Sequence, residues 1–304
     1  MAENDTRLIN SITRLKREKN AVILAHNYQL GEVQDIADFV GDSLQLSQNA
    51  ASTQADVIVF CGVHFMAETA SILCPDKVVL LPDEHAGCPM ADMITAEGLR
   101  RKKKELKDAA VVCYVNSTAE VKAESDICCT SSNAVKVVQS LASEQILFIP
   151  DKYLGHYVST QTDKKMTLWP GYCATHVRIL PEHIIELRKD YPRAKVVVHP
   201  ECRPEVIALA DEVLSTGGMC RYARRDDVSQ VIVGTEIGII HRLKKDNPGK
   251  QFIPVSEQAI CPNMKMITLE KILWSLDNMS PEVKVSEPVR LKAKMAVDRM
   301  LEVV

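Results

Sequence analysis

Three of the ten cysteines lie at matched positions in the sequence, and their number and residue type indicate a metal site. They are Cys88, Cys173 and Cys261. Thiolates are the ligands that soft metal ions and iron–sulfur clusters prefer. Three protein ligands leave one iron of a four-iron cluster open to water or substrate, and an open iron is a Lewis acid suited to the elimination of hydroxide. The pattern therefore favours a dehydratase-type site.

The other seven cysteines are predicted to be core side chains, because an isolated cysteine usually behaves as a small buried apolar residue. They are Cys61, Cys74, Cys113, Cys128, Cys129, Cys202 and Cys220. No Cys-x-x-Cys pair occurs, so the local signatures of zinc and ferredoxin sites are absent. Spacing alone leaves a structural zinc, bound by the three matched cysteines and a histidine, as an alternative.

Polar side chains end three apolar runs that lie 88 and 85 residues apart: His26 after AVILA, Tyr114 after AAVVC and His199 after AKVVV. Runs without polar alternation are typical of strands buried on both faces of a parallel sheet, and the carboxyl ends of such strands carry the ligand site. An imidazole or carboxylate beside a Lewis acid binds anions or moves protons. His26, His199 and the nearby Glu201 are therefore candidate site residues.

A hydroxyl residue follows each of these strand ends by 17 residues: Ser43, Ser131 and Thr216. If these residues open helices, their hydroxyls are expected to be N-caps. The alternative is that the hydroxyl and the backbone N–H groups of a helix N-terminus hold a carboxylate or a phosphate. The glycines after Thr216 permit close approach of the backbone, which suits a phosphate best.

These features belong to a threefold internal repeat of about 87 residues, in which each unit is predicted to be strand–helix–strand–helix–strand with one closing helix. VQDIADFV and EVIALADEVL have helical spacing, and the cysteine follows the third strand by a short loop. We predict an α/β fold of three concatenated three-layer αβα domains with small parallel sheets, related by pseudo-threefold symmetry. The predicted domains are 1–108, which includes an N-terminal helix, 109–193 and 194–280, followed by a C-terminal helical tail at 281–304.

Composition excludes several classes of protein. The chain has 304 residues, 46% hydrophobic and 25% charged, which argues against disordered, collagenous and coiled-coil proteins. A net charge of -3 does not favour a nucleic-acid binder, which usually needs a basic face. No apolar run approaches the ~20 residues of a membrane helix, and the start has no signal-like apolar core. We expect a cytoplasmic protein without membrane contact.

The motifs together resemble the quinolinate synthase A family, and the resemblance extends through all three repeats. The segments that carry it are His26-Asn27-Tyr28, Gly41-Asp42-Ser43, Tyr114-Val115-Asn116, Ser131-Ser132-Asn133, Pro150-Asp151, Leu154-Gly155, Trp169-x-Gly171-x-Cys173-x-x-His176, His199-Pro200-Glu201-Cys202, Ser215-Thr216-Gly217, Thr235-Glu236 and Cys261-Pro262-Asn263-Met264. The resemblance implies three α/β domains in a triangle around a [4Fe–4S] cluster held by one cysteine from each. It implies condensation of iminoaspartate, supplied by L-aspartate oxidase, with dihydroxyacetone phosphate to quinolinate, with loss of phosphate and two waters, in NAD biosynthesis.

The resemblance also implies residue roles. Cys88, Cys173 and Cys261 would ligate the cluster. The expected substrate-binding residues are His26, Ser43, Tyr114, Asn116, Ser131, His199, Glu201 and Thr216. Glu201 is the expected general acid or base, with Tyr28 and His199 as further catalytic candidates and His176 as a secondary one.

In one respect the chain departs from part of that family. Some members carry a Cys-x-x-Cys pair at the third cluster cysteine, proposed as a redox switch, whereas Met264 stands at that place here. Such regulation is therefore not expected. A cluster dehydratase acting on a different hydroxy acid is a second alternative activity.

Overall fold

A computed structural model describes residues 3–303 of the chain and contains three separate four-stranded sheets. The first sheet consists of β1 (Ala21–His26), β2 (Phe39–Gly41), β3 (Val57–Cys61) and β4 (Val78–Leu80). The second consists of β5 (Ala110–Tyr114), β6 (Ile127–Cys129), β7 (Gln145–Ile149) and β8 (Lys165–Leu168). The third consists of β9 (Lys195–Val198), β10 (Glu212–Val213), β11 (Gln230–Gly234) and β12 (Gln251–Pro254).

All three sheets are parallel and have the same strand order, which is β2-β1-β3-β4 in the first and its equivalent in the others. The central strands are apolar on both faces and buried, as in β3, whose five residues are all buried. Helices cover both faces of such a sheet because each face must exclude water. The structure confirms the predicted α/β fold of three concatenated parallel-sheet units.

Each sheet has one strand more than the sequence predicted. The additional strands β2, β6 and β10 are edge strands of only two or three residues. The segments VQDIADFV and EVIALADEVL, predicted to be helical throughout, each divide into a short helix and the approach to such a strand. Strands this short pair only because the neighbouring strand offers its edge, so their local pattern does not reveal them.

Within residues 3–303, four α-helices accompany each sheet, one further α-helix precedes the first unit and another follows the third. The helices of the first unit are α2 (Gly31–Ile36), α3 (Ser43–Ser52), α4 (His64–Leu73) and α5 (Ala96–Glu105), preceded by α1 (Glu3–Glu18). Those of the second are α6 (Ala119–Ala123), α7 (Ala134–Ser140), α8 (Lys152–Ser159) and α9 (Pro181–Asp190). Those of the third are α10 (Pro204–Ile207), α11 (Thr216–Ala223), α12 (Ile239–Asp246) and α13 (Leu269–Asn278), followed by α14 (Glu287–Glu302).

The C-terminal helix α14 packs on the second unit, against α6 and β6, and also contacts α4 of the first. Asn133 holds its end, because Nδ2 of Asn133 donates to the carbonyl oxygens of Met300 at 3.2 Å and Val303 at 2.9 Å. The predicted tail at 281–304 thus joins two units.

Each sheet lies within one of the predicted domains, while the exact domain boundaries stay predictions. Between residues 3 and 303 no helix is both long and apolar enough to cross a membrane.

Candidate active site

A cavity of about 270 Å³ lies where the carboxyl ends of strands from the three sheets meet. Its lining includes every side chain that the sequence singled out for the site: His26, Tyr28, Ser43, Cys88, Tyr114, Asn116, Ser131, Cys173, His176, His199, Glu201, Thr216 and Cys261. In each sheet the first strand of the unit is central and ends at this cavity. The second strand lies on one side of it and the third strand on the other, so the strand order reverses at this point. Ligands of open α/β sheets bind at such a switch point.

The three matched cysteines line the cavity and are half-buried, whereas the other seven are buried. A short 3₁₀ helix follows each of them, at Ala91–Met93, His176–Arg178 and Pro262–Lys265. The seven cysteines predicted to be core residues are thus buried and the three matched cysteines line one cavity, while their role as metal ligands stays a prediction.

The surroundings of these thiols suit metal ligands. Burial raises the pKa of Cys88 to about 12, although the backbone N–H groups of Ala91 and Met90 favour its thiolate. Burial also raises the pKa of Cys173 and Cys261, again against backbone N–H groups of the turn that follows. A thiol of high pKa ionises when a bound cation supplies the compensating charge. Three soft donors at one cavity, each facing backbone N–H groups, fit an iron–sulfur cluster.

The two strand-end histidines are held in the same way. The backbone N–H of Tyr28 donates to Nδ1 of His26 at 3.2 Å, and that of Glu201 donates to Nδ1 of His199 at 3.4 Å. Burial lowers the pKa of His26 to about 4 and that of His199 to about 3, even though nearby carboxylates oppose the shift. Both rings are therefore neutral near pH 7 and carry their proton on Nε2, so each presents an N–H donor.

Glu201 is at the centre of a buried polar cluster. Its Oε2 lies 2.7 Å from Nδ1 of His176, and its Oε1 accepts a hydrogen bond from the hydroxyl of Tyr114. Burial favours the protonated carboxyl, but the contacts with His176 and Tyr114 outweigh it and lower the pKa of Glu201. Burial and the charge of Glu201 raise the pKa of Tyr114. Glu201 is thus an ionised acceptor and Tyr114 a protonated donor.

His176 connects this cluster to Tyr28. Nε2 of His176 lies 2.8 Å from Oγ1 of Thr235, which lies 2.5 Å from the hydroxyl of Tyr28. Nδ1 of His176 also lies 3.1 Å from Sγ of Cys173. Cys173, His176 and Glu201 are the one group of three metal-binding side chains with adjacent donor atoms among residues 6–303. His176 therefore contacts a cysteine, the carboxylate and the hydrogen bonds of Tyr28 at the same time. From the sequence it was only a secondary catalytic candidate.

The expectation that the three matched hydroxyls are N-caps is wrong. Helices α3 and α11 begin at Ser43 and Thr216, and their caps are the preceding residues Asp42 and Ser215, which accept from Gln45 N and Gly218 N. Helix α7 begins three residues after Ser131. The hydroxyls lie instead on the cavity side, and Oγ of Ser131 is 3.1 Å from Nε2 of His199.

The residues beside these hydroxyls join the three units. Oδ2 of Asp42 accepts from Ser132 Oγ at 2.5 Å and from Ser215 Oγ at 3.2 Å, and the two serines lie 2.8 Å apart. Asp42, Ser132 and Ser215 come from the first, second and third units respectively. These three residues stand within the sequence motifs, but their contacts join positions more than 80 residues apart and leave no local signal in the sequence.

Three further lining residues have contacts that bear on the site; Asn116 was an expected substrate-binding residue, whereas Glu236 and Arg178 had been given no role. Glu236 fixes the backbone of a cysteine, since its Oε1 accepts from the N–H of Cys261 at 3.1 Å and lies 2.9 Å from Nζ of Lys265. Oδ1 of Asn116 is buried and has no hydrogen-bond partner among the described residues, so it is available to a ligand. Arg178 is exposed and is the one arginine or lysine of the lining that the structure describes.

Three parallel-sheet units that contribute thiols, neutral imidazoles, hydroxyls and a buried carboxylate to one cavity define an α/β enzyme with a composite active site. Comparison with known sequences identifies which one. The chain belongs to the quinolinate synthetase A protein family, whose pattern it matches over residues 10–302.

Curated relatives of that family are similar to the chain over nearly its whole length. A quinolinate synthase of Dehalococcoides mccartyi strain CBDB1 is 65% identical over 295 residues, which is 97% of this chain and 98% of the relative. A quinolinate synthase of Methanosarcina barkeri strain Fusaro is 57% identical over 296 residues, 97% of each chain. A quinolinate synthase of Geobacter sp. strain M21 is also 57% identical over 296 residues, again 97% of each.

Proposed function

We propose that the chain is a quinolinate synthase that condenses iminoaspartate with dihydroxyacetone phosphate to quinolinate, with release of phosphate and two waters. The reaction is a dehydrating condensation of de novo NAD biosynthesis in the cytoplasm, and L-aspartate oxidase would supply the iminoaspartate. The observation that carries the proposal is the convergence of three cysteines and a set of anion-binding donors on one cavity. Membership of the family supports the same activity.

The cofactor in this proposal is a [4Fe–4S] cluster held by Cys88, Cys173 and Cys261. When bound, it would supply a Lewis-acidic iron for the dehydration steps. The rival is a structural zinc with His176 as an additional ligand, which the short distance between Cys173 and His176 would permit. Anaerobic preparation with iron, acid-labile sulfide and zinc analysis decides between them. About four irons with matching sulfide and absorption near ~400 nm support the cluster, whereas stoichiometric zinc without sulfide contradicts it.

The protonation states of the other side chains indicate which of them bind the substrates and which transfer protons. The substrates and the product carry carboxylates or a phosphate, and the neutral N–H donors of His26 and His199 can hold such oxygens without a full counter-charge. Ser43, Asn116, Ser131 and Thr216 would complete this set of polar groups.

Glu201 is the proposed proton acceptor, because it is ionised within a buried site. Tyr114 and Tyr28 keep their protons, since burial raises the pKa of both, and so can return a proton to the reacting oxygen or nitrogen. His199, 4.0 Å from Glu201 Oε2, is the third proposed catalytic side chain.

The direct test is formation of quinolinate from iminoaspartate and dihydroxyacetone phosphate under anaerobic conditions. We expect a product that requires both substrates and the iron-loaded chain. An iron-loaded chain that makes no quinolinate yet dehydrates another hydroxy acid would favour the alternative dehydratase and contradict the proposal.

A further inference from the structure

A chain of hydrogen bonds runs from helix α12 to the cavity through Arg242, Asn27 and Thr216. Nη1 of Arg242 lies 2.9 Å from Oδ1 of Asn27, and Nδ2 of Asn27 lies 2.9 Å from Oγ1 of Thr216. Asn27 is completely buried and Thr216 is 1% exposed. Of the three, only Thr216 lines the cavity. This series of hydrogen bonds also crosses between units, because Asn27 follows β1 whereas Arg242 and Thr216 belong to the third unit.

The chemistry of these groups fixes the direction of every bond. A guanidinium group has N–H donors and no acceptor, so the atom of Asn27 that faces Arg242 must be its carbonyl oxygen. The amide NH₂ of Asn27 then faces Thr216, and an amide NH₂ can only donate. Oγ1 of Thr216 is therefore the acceptor of that bond, and its own hydrogen is left for another partner. Among residues 6–303 the Thr216 hydroxyl has no acceptor.

Arg242 is itself held in place, which keeps the direction of the chain constant. Its Nη1 also donates to the carbonyl oxygen of Val40, and its Nε lies 3.5 Å from Oδ2 of Asp246. The backbone of Asn27 is fixed as well, since its N–H donates to the carbonyl oxygen of Gly41 at 3.1 Å. Neither end of the Asn27 amide can turn without losing a hydrogen bond in a buried setting.

We propose that Arg242 and Asn27 are positioning residues that keep the hydroxyl of Thr216 as a hydrogen-bond donor to a carboxylate or phosphate oxygen of the bound substrate or product. The inference rests on the proposed function, because that function supplies the anionic ligand. Because the Thr216 hydroxyl already accepts a hydrogen bond from Asn27, its own hydrogen points into the cavity before the ligand binds. A hydrogen bond to a charged group is expected to change affinity by about tenfold to a hundredfold.

The sharpest test is Asn27→Asp, which conserves the shape of the side chain. Its carboxylate keeps the contact with Arg242 as an ion pair but offers Thr216 an acceptor only, so the Thr216 hydroxyl must donate to it and no longer to the ligand. We expect quinolinate to bind the anaerobic iron-loaded variant about tenfold to a hundredfold more weakly, measured by titration calorimetry. Thr216→Val should weaken binding to the same degree, while thermal unfolding and iron content of Asn27→Asp stay at the wild-type level.

The double variant Asn27→Asp/Thr216→Val separates this explanation from simple charge repulsion. If Asn27 acts through the hydroxyl, the double variant binds as weakly as Thr216→Val alone. If the new charge merely repels the anion, the two losses multiply, and that result overturns the inference. An Asn27→Asp variant that binds as well as the wild type overturns it too. A wild-type chain that binds no quinolinate would overturn the proposed function first.

Arg242→Gln tests the other end of the chain. Glutamine offers both donors and acceptors, so the amide of Asn27 is no longer fixed, and we expect a several-fold loss of quinolinate affinity. Arg224→Gln is the matched control, because Arg224 pairs with the same Asp246 at 3.3 Å without contacting Asn27, and it should bind normally. Equal affinities of the two variants would contradict the role of Arg242.

Discussion

The Nδ1 atom of His176 lies 2.7 Å from Oε2 of Glu201, and both side chains are almost completely buried. Because Tyr114 donates to the other carboxylate oxygen, both oxygens of Glu201 are occupied and the group is ionised. An ionised, oriented carboxylate close to Cys173, a proposed cluster ligand, is able to accept a proton in the proposed reaction.

Glu201→Gln should therefore bind quinolinate but lose turnover by about 10²–10⁴-fold, because glutamine keeps the size and one acceptor but accepts no proton. Anaerobic kinetics of product formation measure the loss, with iron content as a check. Glu205→Gln, an exposed position on α10, is the control and should retain wild-type rates. Near-normal turnover of Glu201→Gln would assign the proton transfer to another group.

Cys173→Ala should lose the cluster while the chain still folds, because each sheet has its own buried strands and Cys173 is only half-buried. Iron and sulfide analysis together with far-ultraviolet circular dichroism make the measurement. Cys74→Ala is the matched control, since Cys74 is buried at the end of α4 and its thiol faces the carbonyl oxygen of Ala50 at 3.1 Å. It should keep full iron content. Full iron in Cys173→Ala would refute a site with these three ligands.

His26 should make the protein less stable in acid. Burial lowers its pKa to about 4 in the folded chain, whereas the unfolded chain has the ordinary value of about 6.5. Between these two pKa values the unfolded chain binds a proton that the folded chain does not. The free energy of unfolding therefore decreases as the pH falls through this window, and above the window His26 no longer lowers it. The free energy of unfolding should be about 2 kcal/mol lower at pH 5 than at pH 7 on account of this group.

Urea unfolding at both pH values measures the effect, and His26→Gln should reduce the difference by that amount. His85→Gln is the control, because the His85 side chain is 78% exposed. An unchanged pH dependence in His26→Gln would show that the ring is not held neutral.

Gly217→Ala should disturb the junction of the three units. A Cβ atom at this position would lie 2.5 Å from Oδ2 of Asp42, which is bonded to Ser132 and Ser215 and cannot move freely. We expect a loss of about 1–3 kcal/mol in stability and weaker quinolinate binding, because the N-terminus of α11 carries Thr216. Thermal unfolding and calorimetry measure the two effects.

The control for that substitution is Gly249→Ala, where nothing lies within 4 Å of the added Cβ. It should unfold at the wild-type temperature. If Gly217→Ala behaves in the same way, the close contact with Asp42 is not a constraint.

Arg178→Gln should slow the capture of anionic substrates. Arg178 is the exposed cation of the cavity lining, among carboxylates and neutral histidines, and has no ion pair among the residues described. We expect kcat/KM to fall several-fold at low salt and to depend less on ionic strength than in the wild type. Arg193→Gln makes the same charge change before β9, at the amino ends of the strands and away from the cavity. It should leave kcat/KM and its salt dependence unaltered. Identical salt dependence in the two variants would exclude steering by Arg178.

Much of the site could be predicted from the sequence, for a definite reason. Apolar runs without alternation form buried parallel strands, and parallel strands place the residues that follow them at one edge. His26, Tyr114 and His199 and the three cysteines therefore lined one cavity as expected. The prediction of the N-cap residues was wrong because the position of a helix start must be known to a single residue, and hydrophobic spacing does not define it that closely.

The amino-acid sequence by itself determined the threefold repeat, the parallel sheets and the residues at their carboxyl ends, since these follow from local composition and fixed offsets. Only the tertiary structure decided which hydroxyls are free. Ser132 and Ser215 are tied to Asp42, whereas Thr216 accepts from Asn27 and keeps its hydrogen. Such assignments depend on hydrogen bonds between units, and their direction is set by partners 90 to 189 residues away that come together only when the three sheets pack.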